Sequence, residues 1–562
     1  MQLQSGGRPP LYTTLYFVSL ALLVASLPLS KFTMSIFEFS TLIFWLWHGV
    51  DSEFVKKHPS LSLLNPLNLA RFLGEAVKKV SEALIQKFVE FSRNKPAVVI
   101  VSLFFLHVIG LIYTTDFEYA FKDLRTKLPI LILPLFIATG PRISTKVFYR
   151  ILALFIAAVV GGSIYWIILF LKLPVADSRA VESHTSHIRF CMNAVYAVFI
   201  LLFFIISKGN LKSSLKVVMI LVAIWLVAFM AYMNFTTGIL IFMIVGFLML
   251  IFFAFKIKSL LLKTAALASI GILILLPLYF IISIGYKYLN TPQAEFSKLE
   301  KYTRNGNSYY HDTVNFKPKN GKWTGLYICE KELRQSWAQR SKLPIDSLDK
   351  MKQITRFTLI TYMASKDLRK DANGVNQLSD DDIRNIENGI NRFEYNKLPG
   401  LRTQIEDFLT AYQRYLNHHD PNSSSMVQRF EYWRTSLLII KQHPFFGVGT
   451  GDLPMVFEEQ YRTMKSQLAP QNRLRSHNQY LSITVGFGII GLAWFVFVML
   501  YPGLKTRNFS NYFYVIFWII FMISMLTEDT IENQEGVTFF AMFMAMMILG
   551  RETEEPSESL SN

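Results

Sequence analysis

The amino-acid sequence predicts an all-α polytopic membrane protein of about twelve transmembrane helices, with a large, mostly helical loop domain between spans nine and ten. Three observations carry that expectation. The residues are 52% hydrophobic and only 17% charged, too apolar for a water-soluble domain. Apolar runs long enough to cross a hydrocarbon core of about 30 Å recur along the whole chain. A single polar stretch of about 190 residues interrupts them, far longer than a connection needs.

Taken in order, the runs fall at 11–29, 32–50, 97–113, 128–139, 147–171, 190–206, 215–232, 238–255 and 260–288, then at 481–500, 512–526 and 537–550. The first resembles a signal peptide with Arg8 ahead of it, but the second follows at once, so an uncleaved first span is expected. The chain then divides into a membrane domain over 1–288, a loop domain over 289–480, a second set of spans over 481–550 and a tail over 551–562. The tail is acidic and Ser-rich, and disorder is expected there.

A formal charge of +17 would suggest nucleic acid in a soluble protein, but in a membrane protein excess Lys and Arg mark cytoplasmic loops, so no nucleic-acid partner is expected. Connections holding Lys56, Lys57, Lys78 and Lys79, then Arg142, Lys146 and Arg150, then Lys208, Lys212 and Lys216, then Lys256, Lys258 and Lys263, then Lys505 and Arg507 alternate with connections poor in basic residues, such as 234–237 and 527–536. The first set faces the cytoplasm, and the long loop therefore faces outward. Two outward connections, 114–127 and 172–189, keep basic residues against the trend, which invites a functional reason. Residues 65–93 repeat apolar positions at helical spacing between lysines, the pattern of a helix lying on the membrane surface among its lipids or of a soluble linker helix. Two cysteines, Cys191 and Cys329, exclude a disulfide-rich scaffold and read first as independent buried thiols and second as a disulfide pair.

Within the loop, Ser379 followed by Asp382 predicts a capping-box helix start, and 401–416 and 425–441 carry helical periodicity. Thr324 to Cys329 is the best strand segment. Arg429 flanks an apolar stripe and, taken alone, reads as a surface or ion-pair residue. Gly447, Gly449 and Gly451 follow Pro444 and permit a tight turn, read first as structural and second as a cradle of N–H groups for an anion. Arg473, Arg475, His477, Asn478 and Tyr480 gather where the chain re-enters the membrane, a set able to hold phosphate and take a proton, or to anchor at the interface. His418, His419 and Asp420 are adjacent without a spaced partner, so no metal is assigned. Arg179, His184, His187 and Arg189 form a second basic group, and burial of Arg189 requires an anionic partner. Glu528, Asp529, Glu532 and Glu535 lie in the last outward connection, read first as solvated and second as able to orient cationic side chains. The spans read as free of acidic residues, which ranks a transporter below a transferase.

The motif Pro444-Phe445-Phe446-Gly447-Val448-Gly449-Thr450-Gly451, followed by Ser476-His477-Asn478-Gln479-Tyr480-Leu481 and Gly486-Phe487-Gly488-Ile489-Ile490-Gly491, resembles the C-terminal signature of the bacterial O-antigen ligase and O-antigen polymerase superfamily. Loop segments such as Tyr302 to Asn307 and Leu368 to Asp371 resemble its Bacteroidetes branch. The resemblance implies an inverting, metal-independent glycosyltransferase without a cofactor, in the bacterial inner membrane with a periplasmic active site. Its donor would be an undecaprenyl-diphosphate-linked glycan and its acceptor a lipid A-core sugar hydroxyl. By the same resemblance His477 is the general base and Arg189 and Arg429 hold the donor diphosphate, with Gly447, Gly449, Asn478 and Tyr480 in support. An Arg common in the family is replaced at Phe235-Thr236-Thr237-Gly238, with Arg473 or Arg475 as its substitute. A polymerase, or a protein O-oligosaccharyltransferase, using the same donor is the alternative.

Overall fold

The computed structural model describes residues 11–47, 66–172, 186–207, 211–289, 298–312, 322–351, 353–393, 401–422 and 424–551. Arg179, His184 and the tail after Arg551 lie outside them. The chain forms two compact units, one of residues 1–252, 432–466 and 473–562, the other of residues 253–431 and 467–472.

The N-terminal helices are α1 (Leu11–Ser26), α2 (Lys31–Trp47), α3 (Pro66–Arg93), α4 (Lys95–Ile109), α5 (Phe117–Ala138), α6 (Thr145–Leu171), α7 (His187–Ser207), α8 (Ser213–Tyr232), α9 (Thr236–Lys256) and α10 (Leu260–Leu289). The loop region holds α11 (Glu330–Arg340), α12 (Thr355–Ser365), α13 (Ala372–Asn376), α14 (Asp380–Glu387), α15 (Leu401–His418), α16 (Ser425–Gln442) and α17 (Leu453–Thr463). The chain closes with α18 (Gln479–Lys505), α19 (Tyr512–Ser524) and α20 (Gln534–Ile548). A helix therefore stands at each of the twelve apolar runs. Among the described residues, seven helices are long and apolar enough to cross a membrane: Lys95–Tyr113, Thr145–Leu171, His187–Ser207, Ser213–Tyr232, Thr236–Lys256, Leu260–Tyr286 and Gln479–Lys505. Three shorter apolar helices are Leu11–Ser26, Tyr512–Ser524 and Gln534–Ile548. The protein is a multi-pass, helical membrane protein.

Short polar side chains set where several of these helices begin. Asn94 Oδ1 accepts from the N–H of Ala97 at α4, Asp116 from Tyr119 at α5, Ser144 from Val147 at α6 and Asn533 from Gly536 at α20. The first unit's core is aromatic at its centre, where Tyr196 of α7 meets Phe543 of α20 edge-on at 4.9 Å between centroids.

Helix α5 corrects one sequence expectation. The connection expected over 114–127 is helical from Phe117, and its charged residues Asp123 and Lys127 are buried. The expectation of acid-free spans fails as well, since Glu38 of α2 is buried and accepts from Thr538 at 2.9 Å.

In the second unit, Trp337, Leu359, Tyr362, Met363, Ile383 and Ile386 make a separate core. The capping box predicted at α14 is present: Ser379 Oγ accepts from the N–H of Asp382, whose carboxylate accepts from the N–H of Ser379 at 2.8 Å. Thr324 to Cys329 does not form a strand. Ile328 makes isolated bridges to Tyr310 and Lys370, and no strand occurs among the described residues. Cys191 and Cys329 are free and buried.

Candidate functional site

The site lies in the first unit, where the chain enters α18 beside the acidic connection between α19 and α20. Asn478 caps α18, its Oδ1 accepting from Leu481 at 3.1 Å and its Nδ2 donating to the carbonyl of Leu526 at 3.0 Å. Asp529 clamps the turn ahead of it. One carboxylate oxygen accepts from Asn478 N at 3.1 Å and Ser482 Oγ at 2.7 Å, and the other from His477 N at 3.1 Å. These bonds hold His477 at φ 46, a left-handed conformation uncommon for a non-glycine residue.

The His477 ring is thereby aimed at Glu528. Its Nδ1 lies 3.3 Å from Glu528 Oε2, and its face stacks on Tyr432 at 5.5 Å between centroids. A carboxylate at Nδ1 favours the tautomer protonated on that nitrogen, which leaves Nε2 as the acceptor. The side chain is 31% exposed, open to a substrate, while Glu528 is 5% exposed.

The same Glu528 oxygen is 3.8 Å from Arg189 Nη1. Arg189, buried at the start of α7, donates from Nε to Asn533 at 3.2 Å and from Nη2 to the carbonyl of Asp529 at 3.1 Å. Its Nη1 makes no hydrogen bond and keeps a donor in hand. The anionic partner that burial of Arg189 requires is therefore Glu528.

Arg475 joins the cluster through Glu532, donating from Nη1 to Oε2 at 3.2 Å. Glu532 Oε2 also accepts from Lys127 at 2.8 Å, and its Oε1 from Gln479 at 2.9 Å. Burial works against the Glu532 carboxylate, but Lys127 and Arg475 outweigh it and hold the group well below the usual carboxylate range. Burial likewise opposes the Arg475 charge, which Glu532 more than restores. The first-read solvation of these carboxylates is thus overturned: Glu528, Asp529 and Glu535 are buried, the Glu532 side chain is 5% exposed, and Glu535 pairs with Lys31 at 3.2 Å. Their partners stand far off in sequence, so only the fold brings them together.

Sequence reading also passed over His107 and Asp123. The two face each other at 3.2 Å in the interior, without the alignment of a hydrogen bond.

The glycine-rich turn is structural. Gly447 and Gly449 adopt φ +70 and +90, and the turn pairs with α18 where that helix breaks at Gly488. The N–H groups of Val448 and Gly449 donate to the carbonyls of Val485 and Gly486 at 2.9 Å, and Ile489 N donates to Pro444 at 2.9 Å. The backbone groups exposed by the break are therefore satisfied from the turn, as an apolar surrounding demands. Those two N–H groups are spent and do not cradle an anion. Asp452 finishes the motif by accepting from the N–H groups of Thr115 and Asp116, each at 2.8 Å, just ahead of α5.

Among the residues expected to contribute, His477, Asn478, Arg189 and Arg475 converge on the acidic connection. Tyr480 turns away and donates to the carbonyl of Met522 at 3.1 Å, tying α18 to α19. Arg473 pairs with Glu458 at 2.7 Å. Arg429 is half-buried on α16, in the part of that helix that belongs to the second unit, whereas Tyr432 belongs to the first. A cavity of about 670 Å³ opens along the first turns of α5, lined by Asp116, Glu118, Tyr119, Phe121, Lys122 and Arg125.

Comparison with known proteins bears on this region. An uncharacterized protein of Haemophilus influenzae is 27% identical over 143 residues, a stretch covering 24% of this chain and 35% of that protein. Residues 379–496, which include the glycine turn, His477 and the first part of α18, match the family described as O-Antigen ligase. Over that stretch the chain is similar to the O-antigen ligase family.

Proposed function

We propose that this protein is an O-antigen ligase-like glycosyltransferase, moving a glycan from undecaprenyl diphosphate to a lipid A-core sugar hydroxyl at the periplasmic face of the inner membrane. The observation that carries the reading is the shared Glu528 carboxylate, within 3.3 Å of the His477 ring and 3.8 Å of the Arg189 guanidinium, with His477 inside the stretch that matches the O-antigen ligase family.

In this reading the chain crosses the membrane twelve times, with residues 1–288 and 481–550 as its membrane parts, 289–480 as a periplasmic loop and 551–562 as a cytoplasmic tail. The alternation of Lys and Arg between connections supports that orientation. The acceptor hydroxyl attacks the anomeric carbon from the face opposite the diphosphate. His477 Nε2 takes the hydroxyl proton, the new glycosidic bond forms, and the bond to the phosphate oxygen breaks with inversion. Undecaprenyl diphosphate leaves with the bonding pair, its charge held by Arg189 and Arg475. A diphosphate is already a competent leaving group, so positioning and charge neutralisation are the protein's main tasks. The cavity along α5, with Lys122 and Arg125 on its wall, offers room beside the cluster for part of a substrate.

Deleting the gene in its host and separating the surface polysaccharide by gel tests this function. Long glycans accumulating on the carrier lipid support ligation. Single repeat units capping the core would instead assign polymerisation, and unchanged polysaccharide would refute both.

A further inference from the structure

One buried cation of the first unit has no part in the chemistry above. Lys127 is fully enclosed, and its Nζ lies 2.5 Å from Asp123 Oδ1 and 2.8 Å from Glu532 Oε2. The oxygen it takes from Glu532 is the one that Arg475 Nη1 reaches at 3.2 Å. Lys127 thus holds the shorter share of that carboxylate, and Arg475 the longer.

An enclosed lysine is costly to desolvate, and hydrophobic packing would serve stability as well or better. The charges explain what it achieves. Asp123 and Glu532 are balanced by Lys127 and Arg475, so the group is neutral. Without Lys127 it would carry one negative charge, and Glu532 would have Arg475 as its remaining cation in the group. An anion approaching Arg475 would then meet both a repelling field and a guanidinium already taken.

We infer that Lys127 is a positioning residue for diphosphate binding: by sharing the Glu532 carboxylate, it leaves the Arg475 charge available to the leaving group. This rests on the reading of Arg475 given above. It differs from a structural role in a way that can be measured, because two substitutions should move substrate affinity in opposite directions.

The test uses full-length protein in nanodiscs with an undecaprenyl-diphosphate-linked glycan as donor. The double variant K127M/D123N removes one charge of each sign and avoids stranding a buried carboxylate, but returns Glu532 wholly to Arg475. Its donor KM should rise by about tenfold with a smaller change in kcat, given interactions of a few ångströms in a partly buried setting. D123N alone is isosteric and leaves Lys127 to Glu532, so donor KM should fall by about threefold. Pyrophosphate inhibition should follow the same two directions. A D123N donor KM that is unchanged or raised overturns the inference, whatever the double variant does. If R475Q itself leaves donor KM unchanged, the reading of Arg475 fails instead, so the two failures are distinct.

Discussion

Replacing Glu528 by Gln keeps the side-chain volume and removes the negative charge between His477 and Arg189. Two unit charges 3.8 Å apart attract by about 4 kcal/mol at the effective dielectric of a partly buried site. Desolvation takes back much of that, leaving about 1.5–3 kcal/mol of net interaction. The neutral amide also no longer fixes the proton on His477 Nδ1, so Nε2 is presented as an acceptor for less of the time. Together these predict a roughly ten- to hundredfold fall in kcat. Purified enzyme in nanodiscs, assayed for glycan transfer at saturating donor and acceptor, measures it directly, with thermal unfolding in detergent as the control for folding. Wild-type kcat in a well-folded E528Q protein would refute the idea that this carboxylate orients the base.

The glycine turn makes a sharper stability prediction. A Cβ at Gly449 would lie 2.9 Å from the carbonyl of Gly110 and would have to adopt φ +90, so G449A should cost at least about 2 kcal/mol, whereas G486A, with nothing nearer than 3.9 Å, should cost less than about 1 kcal/mol in thermal unfolding. Asp452→Asn keeps the shape but weakens charged acceptance from Thr115 and Asp116, and should lower stability by about 1–2 kcal/mol in the same assay. In the second unit, burial lowers the Lys370 amine to about 8 from its ordinary value near 10.5. Between those pH values the unfolded chain binds a proton that the folded one lacks, so stability should rise with pH from about 8 to about 10, and K370M should abolish that rise in denaturant titrations.

The parts of this architecture set by local chemistry were legible in the sequence. Apolar runs located the helices, and Ser379 with Asp382 marked the start of α14 because a capping box needs only neighbouring residues. The acidic connection was illegible for the opposite reason. Glu528 and Glu532 look like solvated residues until Arg189, Lys127 and Arg475 are brought to them from more than fifty to about four hundred positions away. Helix α5 reads as shorter in the sequence because Asp123 and Lys127 look like a polar connection, whereas in the fold they pair with each other one turn apart and Lys127 also meets Glu532. His477 itself was identified by its motif, whereas its orientation depends on Asp529 and Glu528, to which no spacing rule points.

The central claim is that His477 accepts the proton of the attacking hydroxyl. Its most direct test is glycan transfer by the His477→Ala protein, inserted at wild-type amount and supplied with lipid-linked donor and lipid A-core acceptor. Loss of a general base predicts a fall of at least about a hundredfold in kcat, with donor KM little changed. Transfer at the wild-type rate would contradict it.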